Sequence, residues 1–301
     1  MKIKFFFGFI LATTLTFLNC SEDNNSGFDS TTGKLTVQLT DAPFPFDMVA
    51  EANVTVFKVE ARKVDDDMDE NAEDDSSEDD MGSDGNSPFI VLMEEEMDVN
   101  LLKLTNGVTE QLANLDVPVG TYDLIRIYVK GVNVVLADGR TFDLTVPSGQ
   151  QTGIKVFIKP GITVAGGLSA DLLLDFDVSR SFVPKGNIKT VDGIHGFNFK
   201  PVIKVSNLST AGSLTGNVNS LEDEIQMALE GVQISVLAAD TLNTSGFSDA
   251  DGNYTIMGLE AGTYKVFAEL EGYVKNDTLE VQITAANKTV QDFQLEKEVV
   301  E

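Results

Sequence analysis

The sequence predicts an all-β protein in which two antiparallel domains, each a sandwich or a barrel, follow one another. Short runs of alternating apolar and polar residues recur along the chain, for example at residues 35–39, 125–129 and 154–158, and turn residues separate them. Helical patterns are scarce, and only residues 100–115 have room for a turn or two. With 301 residues, 42% of them hydrophobic, the chain is long enough for two cores.

The first 20 residues have the pattern of an export signal. Lys2 and Lys4 precede an apolar run at residues 5–18, which is shorter than the ~20 residues that a membrane-spanning helix needs. The run ends at Cys20, the only cysteine in the chain. Residues 17–20 (FLNC) resemble the lipobox of bacterial lipoproteins, with Phe17 and Asn19 at positions where that family usually has Leu and Ala or Gly.

This resemblance implies that residues 1–19 are a signal peptide and that Cys20 is the site of lipid attachment. At ~0.8 kcal/mol per buried CH₂, two or more acyl chains hold a protein durably in a membrane. A conventional secretory signal with an incidental cysteine and an uncleaved anchor are the alternatives. Residues 20–33 form a predicted acidic tether that begins with SEDNN, which resembles the tags that direct some lipoproteins to the outer face of the outer membrane. We therefore expect a surface-exposed outer-membrane lipoprotein of the cell envelope.

The charge of the chain limits its partners. The formal net charge is −27, whereas nucleic-acid binding requires a cationic surface. The acidic surface of this chain instead favours cationic ligands, metal ions or simple solubility. A single cysteine allows no internal disulfide, so the predicted sheets must supply the stability.

The first domain is expected at residues 34–206. Six strings in this region resemble the bacterial domain of unknown function 4382: residues 33–43 (GKLTVQLTDAP), 100–107 (NLLKLTNG), 117–126 (VPVGTYDLIR), 146–149 (VPSG), 175–181 (DFDVSRS) and 200–204 (KPVIK). The resemblance implies a β-sandwich on exported, often lipid-anchored proteins, and it implies no activity.

An acidic insertion departs from that compact pattern. Residues 65–84 contain twelve carboxylates and no basic residue, and we expect a disordered insertion over residues 65–87. Calcium binding is the alternative, but no frame through Gly82 or Gly85 places ligands as an EF-hand loop requires.

Two acidic residues and one histidine are the candidates for chemistry in this domain. Asp175 and Asp177 alternate with apolar residues, so they are expected on the outer face of one strand, paired with Arg180 or Lys185. An acid pair for glycoside hydrolysis or a metal site is the alternative. His195 is the only histidine and is expected in a surface loop, which excludes a Ser-His-Asp triad and multi-histidine zinc sites. We therefore expect no catalytic residue, no metal site and no cofactor.

Residues 207–212 are predicted to be a linker, followed by a second domain at residues 213–296. Five strings there resemble the carboxypeptidase regulatory-like domain: residues 216–219 (GNVN), 229–236 (LEGVQISV), 245–256 (SGFSDADGNYTI), 258–266 (GLEAGTYKV) and 271–273 (EGY). The resemblance implies a seven-stranded prealbumin-like sandwich. Together the two resemblances imply an all-β protein with two tandem antiparallel β-sandwich domains, immunoglobulin- or prealbumin-like, after a lipoprotein signal peptide.

Two local features of the second domain have structural explanations. Residues 251–253 (DGN) separate two alternating runs and predict a hairpin turn rather than a calcium loop. Tyr264 is expected at a sheet corner, with its hydroxyl bonded to the backbone. Residues 117–122 (VPVGTY) and 259–264 (LEAGTY) are alike, which suggests related corners in both domains.

The sequence favours a noncatalytic, lipid-anchored cell-envelope protein that displays two β-sandwich modules for structural or partner-binding roles. The expected partners are the membrane, through the N-terminal lipid, and an envelope protein or a polysaccharide, but no nucleic acid. Surface carbohydrate binding is the alternative, because regulatory-like domains belong to a broad carbohydrate-binding-like fold group, although the chain has no tryptophan. An enzyme or a cation-binding protein is less favoured, and the ligand-binding residues are unknown.

Overall fold

The computed structural model describes residues 31–42, 48–64, 89–146, 149–222 and 225–298. Cys20, the signal peptide, most of the tether and the acidic insertion lie outside these ranges, so the predictions made for them stay predictions. In the described ranges, no helix has the length and apolar character needed to cross a bilayer.

The first domain is built from strands, as the alternating patterns predict. Its strands are β1 (Thr32–Ala42), β2 (Val49–Lys63), β3 (Phe89–Met93), β4 (Met97–Asn100), β5 (Glu110–Pro118), β6 (Gly120–Leu136), β7 (Thr141–Asp143), β8 (Ile154–Val164), β9 (Ser169–Asp177), β10 (Phe182–Gly186), β11 (Ile194–Phe199) and β12 (Ile203–Asn207). Two single helical turns, α1 (Gly149–Thr152) and α2 (Val178–Ser181), and two short 3₁₀ turns, Leu101–Lys103 and Val191–Gly193, complete it. The 3₁₀ turn at Leu101–Lys103 confirms the helical turn expected within residues 100–115.

Two main sheets enclose one core in this domain. One has the strand order β12-β9-β1-β5, and the other has the order β3-β2-β6-β7, with β4 paired to β2 and β8 to β6. Leu35 and Val37 from β1 and Ile125 from β6 are fully buried in the same cluster. Each such side chain contributes about 1.5–3 kcal/mol when it leaves water. The predicted sandwich is confirmed, with one departure from the antiparallel prediction: β1 and β9 at the centre of the first sheet run parallel.

The second domain is also a sandwich. Its strands are β13 (Gly212–Glu222), β14 (Ile225–Ala228), β15 (Gln233–Ala238), β16 (Thr241–Phe247), β17 (Asn253–Leu259), β18 (Gly262–Glu269), β19 (Tyr273–Val274), β20 (Leu279–Ile283), β21 (Lys288–Val290) and β22 (Phe293–Lys297). One sheet has the order β14-β13-β22-β19, with β17 and β21 also paired to β13, and the other has the order β16-β15-β18-β20. Leu214, Val232 and Val266 are fully buried between them in a core separate from that of the first domain.

The hairpin predicted around residues 251–253 is wrong, although the turn itself is present. Gly252 has a φ of +77°, and Asp249 Oδ1 accepts hydrogen bonds from the backbone N–H groups of Asp251 at 3.0 Å and Asn253 at 2.8 Å. The flanking strands β16 and β17 belong to different sheets. The turn therefore carries the chain from one layer to the other, a choice that local turn chemistry does not determine.

The connection between the domains is short and hydrogen-bonded. The N–H groups of Thr210 and Ala211 both donate to the Asn207 carbonyl, at 3.0 and 2.8 Å, and Ala211 is buried. Strand β12 of the first domain thus passes almost directly into β13 of the second, which brings the outer face of β9 and β12 against β16 and β17.

Candidate functional site

The most unusual polar cluster among the described residues lies where the two domains meet. In β9, Leu172, Leu174 and Phe176 point into the first core, so Leu173 and Asp175 point outward. Leu173 is nevertheless 1% exposed, because the second domain covers it, and its Cδ2 lies beside Gly258. The outer face of β9 is therefore an interface between domains.

This arrangement corrects the prediction that Asp175 and Asp177 lie together on an exposed strand face. Asp177 is the buried N-cap of α2, where its Oδ1 accepts hydrogen bonds from Ser179 Oγ at 2.7 Å and Arg180 N at 3.0 Å. Its Oδ2 forms an ion pair with Arg180 Nε at 2.5 Å, which confirms the predicted partner, whereas Lys185 pairs with neither acid. The sequence pattern identifies the face that leaves the first core, but not the second domain that covers it.

Asp175 sits in the junction itself. It lies opposite Thr40 of β1 and Lys204 of β12 in the sheet. Burial raises the pKa of its carboxyl to about 6, and the positive charge of Lys204 and a hydrogen bond from Thr244 only partly oppose this. Lys204 Nζ donates to Asn243 Oδ1 of the second domain at 3.3 Å, and burial lowers the pKa of its amine.

Asp41, at the end of β1, is a second buried carboxyl nearby. It is 5% exposed, and burial raises its pKa well above the usual range, with further contributions from the charges of Asp175 and Asp177. Its Oδ1 accepts a hydrogen bond from the backbone N–H of Val178 at 3.1 Å. Its Oδ2 is shielded from solvent and has no hydrogen-bond partner among the described residues.

Asn106 joins the two domains from the turn after the first 3₁₀ segment. Asn106 and Gly107 both have positive φ values, +58° and +82°, as an Asn-Gly turn allows. Asn106 Nδ2 donates to Asp249 Oδ2 and to the Asn253 carbonyl in the second domain, both at 3.2 Å. Sequence reasoning missed this residue, because its Asn-Gly pair predicts a turn but not what the side chain contacts.

Two concavities open at this junction. A small cavity of about 20 Å³ is lined by Asp41, Asn106 and Asp175 from the first domain and Thr244 from the second. A groove of about 380 Å³ lies beside it, and Phe157 on its wall is 52% exposed. Polar side chains of the groove include Lys204, Asn243 and Glu260.

A larger polar cleft of about 550 Å³ is lined by residues of the first domain alone. Its side chains satisfy one another: Thr55 Oγ1 donates to Asp98 Oδ1 at 2.6 Å, and Asn53 Nδ2 donates to Glu51 Oε2 at 2.9 Å and to Asn133 Oδ1 at 3.1 Å. The cleft therefore has fewer unmet hydrogen bonds than the junction.

The remaining candidates do not converge on a site. His195 is exposed, as predicted, but it lies in strand β11 rather than in a loop. Within the described ranges, no group of three or more His, Cys, Asp or Glu side chains is arranged to hold a metal ion. Cys20 lies outside those ranges.

Comparisons with solved structures give low scores. The TIE protein of Bacillus anthracis aligns at 13% identity and a TM-score of 0.26, over 89% of this chain but only 34% of that one. The minor pilin GBS52 of Streptococcus agalactiae aligns at 10% identity over 88% of this chain and 97% of that one, with a TM-score of 0.27. The shaft pilin SpaA of Lactobacillus rhamnosus GG aligns at 12% identity over 90% of this chain and 100% of that one, with a TM-score of 0.27. Scores this low carry no conclusion about function.

Family models match both domains. No curated protein matches the chain significantly. Residues 213–296 match the carboxypeptidase regulatory-like domain, as the sequence strings predict. Residues 32–201, more than half of the chain, match the family described as Domain of unknown function (DUF4382). The chain therefore belongs to the domain of unknown function 4382 family and continues into a carboxypeptidase regulatory-like domain.

Proposed function

We propose that this protein is a noncatalytic component of the cell envelope, anchored by lipid on Cys20, that displays two β-sandwich domains for a structural or partner-binding role. The observation that carries the proposal is the packed junction. Four side-chain hydrogen bonds join the two sandwiches: Asn106 donates to Asp249 and to the Asn253 carbonyl, Lys204 donates to Asn243, and Ser206 donates to the Gly258 carbonyl. Two modules held in one arrangement suit a spacer or a bivalent binding surface better than a flexible tether would.

Crosslinking in intact cells tests the partner-binding role. A photo-crosslinking amino acid would replace Ile225 or Met227, which are 63% and 49% exposed on β14, because exposed apolar side chains often mark contact surfaces. The control carries the same group at Asp143, an exposed polar position on β7. We expect one protein to be recovered reproducibly from the first two positions but not from the control. Recovery of no reproducible partner from any position would contradict the partner-binding role.

A surface carbohydrate-binding role is the second candidate, and the junction groove favours it. Saccharides stack on exposed aromatic rings and hydrogen-bond to amide and charged side chains, and this groove offers Phe157 together with Asn243 and Lys204. Binding of residues 21–301 to a polysaccharide panel would test it. Phe157→Ala should abolish retention, whereas Leu168→Ala, at a 63% exposed position outside the groove, should not. No retention of the parent protein on any polysaccharide would exclude this role.

A further inference from the structure

The small cavity between the domains collects oxygen atoms that have no partner. Asp41 Oδ2, Asn106 Oδ1 and Asp175 Oδ1 are all shielded from solvent and make no hydrogen bond among the described residues. All three residues line this one cavity of about 20 Å³. The orientation of the Asn106 amide follows from its two donated hydrogen bonds, which leave Oδ1 as the free atom.

Such a cluster is energetically expensive as it stands. A buried carboxylate oxygen without a hydrogen bond or a cation loses its hydration and gains nothing in return. The charge of Lys204 acts on Asp175, but Lys204 Nζ donates its hydrogen bond to Asn243 and Arg180 pairs with Asp177, so neither cation hydrogen-bonds to the three unpartnered oxygens. Two carboxyl groups and one amide oxygen therefore face a space that accommodates one water-sized particle.

The geometry points to a calcium-binding site in this cavity, held by Asp41, Asp175 and the Asn106 side-chain oxygen and shared between the two domains. The donors are all oxygen, which selects a hard cation over zinc or copper. Calcium takes six to eight oxygen ligands in irregular shells, including carboxylate, amide and backbone carbonyl oxygens, whereas magnesium demands near-ideal octahedral geometry and is seldom held by an all-protein cage. Thr244 of the second domain also lines the cavity and supplies a further oxygen.

This site differs from a cluster of three or more acidic or histidine ligands, which the described residues do not contain. It has only two carboxylates, and an amide takes the third position. Sites of this kind in extracellular modules bind calcium with Kd values of about 10⁻⁴–10⁻³ M. Because Asn106 also contacts Asp249 and Asn253, a bound ion would fix the turn at Asn106 against the second domain.

Calcium titration of the chelator-treated protein tests the site. The protein would span residues 21–301 without residues 65–84, so that the acidic insertion contributes no binding. Calorimetry at a neutral pH should show one equivalent of calcium, and calcium should raise the Tm. Asp175→Asn and Asp41→Asn should each weaken binding at least tenfold, because each removes one of the two charges. Asp143→Asn, at an exposed site on β7, should bind as the parent does.

The design separates a binding defect from a folding defect. Asn has the same shape as Asp and removes a buried charge, so both variants should retain the parent circular-dichroism spectrum without calcium. Should one variant misfold, the calcium stoichiometry of the parent protein and the calcium affinity of the other variant still test the site. The inference is overturned if the parent binds no calcium up to about 10 mM, tenfold above the weak end of the expected range. It is equally overturned if both Asn variants bind as tightly as the parent.

Discussion

Tyr122 and Tyr264 occupy equivalent corners of the two domains. The hydroxyl of Tyr122 donates to the carbonyl of Pro118 at 2.8 Å, and that of Tyr264 donates to the carbonyl of Glu260 at 3.0 Å. In both cases the acceptor lies four residues earlier in the chain. The similarity of residues 117–122 and 259–264 thus reflects a shared sheet corner, as the sequence suggests.

Replacing either tyrosine by phenylalanine should weaken its own domain. Each hydroxyl makes one net hydrogen bond, so Tyr122→Phe and Tyr264→Phe should each lower the free energy of unfolding by about 0.5–1.5 kcal/mol. The effects should add in the double variant because the residues lie in separate cores. Denaturant unfolding checks this. Tyr273→Phe is the control, since its hydroxyl has no hydrogen bond among the described residues; equal losses in all three variants would contradict the corner interpretation.

The junction should be sensitive to a methyl group at Gly258. This residue has a φ of +73°, and a Cβ there would lie 3.1 Å from Leu173 Cδ2 and from Ser206 Oγ. Gly258→Ala should lower the free energy of unfolding by about 1–2 kcal/mol from the backbone conformation alone. It should also speed proteolysis at residues 207–212 by loosening the junction. Gly262→Ala, where a Cβ meets nothing within 4 Å, should change neither; a matching effect there would show that the junction is not involved.

The capping carboxylate of Asp177 should contribute more to the stability of the fold than the charge of its partner Arg180. Asp177→Ala removes the N-cap of α2 and a charged hydrogen bond inside the fold, and we expect a loss of about 2–3 kcal/mol. Arg180→Ala should lose about 1 kcal/mol or less, because the Arg180 side chain is 47% exposed and solvent screens the pair. Thermal unfolding of both variants checks the order, and an equal or reversed order would contradict it.

The burial of Asp175 predicts that the free energy of unfolding of the chelator-treated protein depends on pH. Its pKa of about 6 in the folded state exceeds the ordinary value of 3.8, so the folded state holds the proton more tightly. Its contribution to stability is therefore present below pH 4 and is lost as the pH rises through 6, by at most about 3 kcal/mol. Asp175→Asn should flatten this part of the stability profile. An unchanged slope between pH 4 and 6 would mean that Asp175 is ionised and well solvated in the folded protein.

Local sequence patterns predict which residues of a strand face a core but not how the strands assemble into sheets. The alternation of Leu172, Leu174 and Phe176 identifies the inner face of β9, since side chains on a strand alternate with a period of two. The parallel pairing of β1 with β9 joins segments far apart in sequence, and no local signal specifies it. The separation of β16 and β17 into different layers is a tertiary choice of the same kind.

The junction was beyond sequence reasoning for a related reason. Asp175 follows the outward pattern of β9 and is predicted to face solvent, yet it lies against the second domain because the connection at residues 207–212 is a tight turn. Asn106 carries a turn signal, whereas its contact with Asp249 depends on how two separately folded units meet. Side chains at interfaces between domains have the composition of a surface, so composition does not reveal them.

Mass spectrometry of the mature N-terminus in the native membrane fraction tests the anchored-display account most directly. The account predicts an N-terminal peptide that begins at Cys20 and carries the mass of two or three acyl chains. Cys20→Ser should move the protein to the soluble or secreted fraction. An unmodified peptide that begins elsewhere, or an intact N-terminus at Met1, would contradict the account.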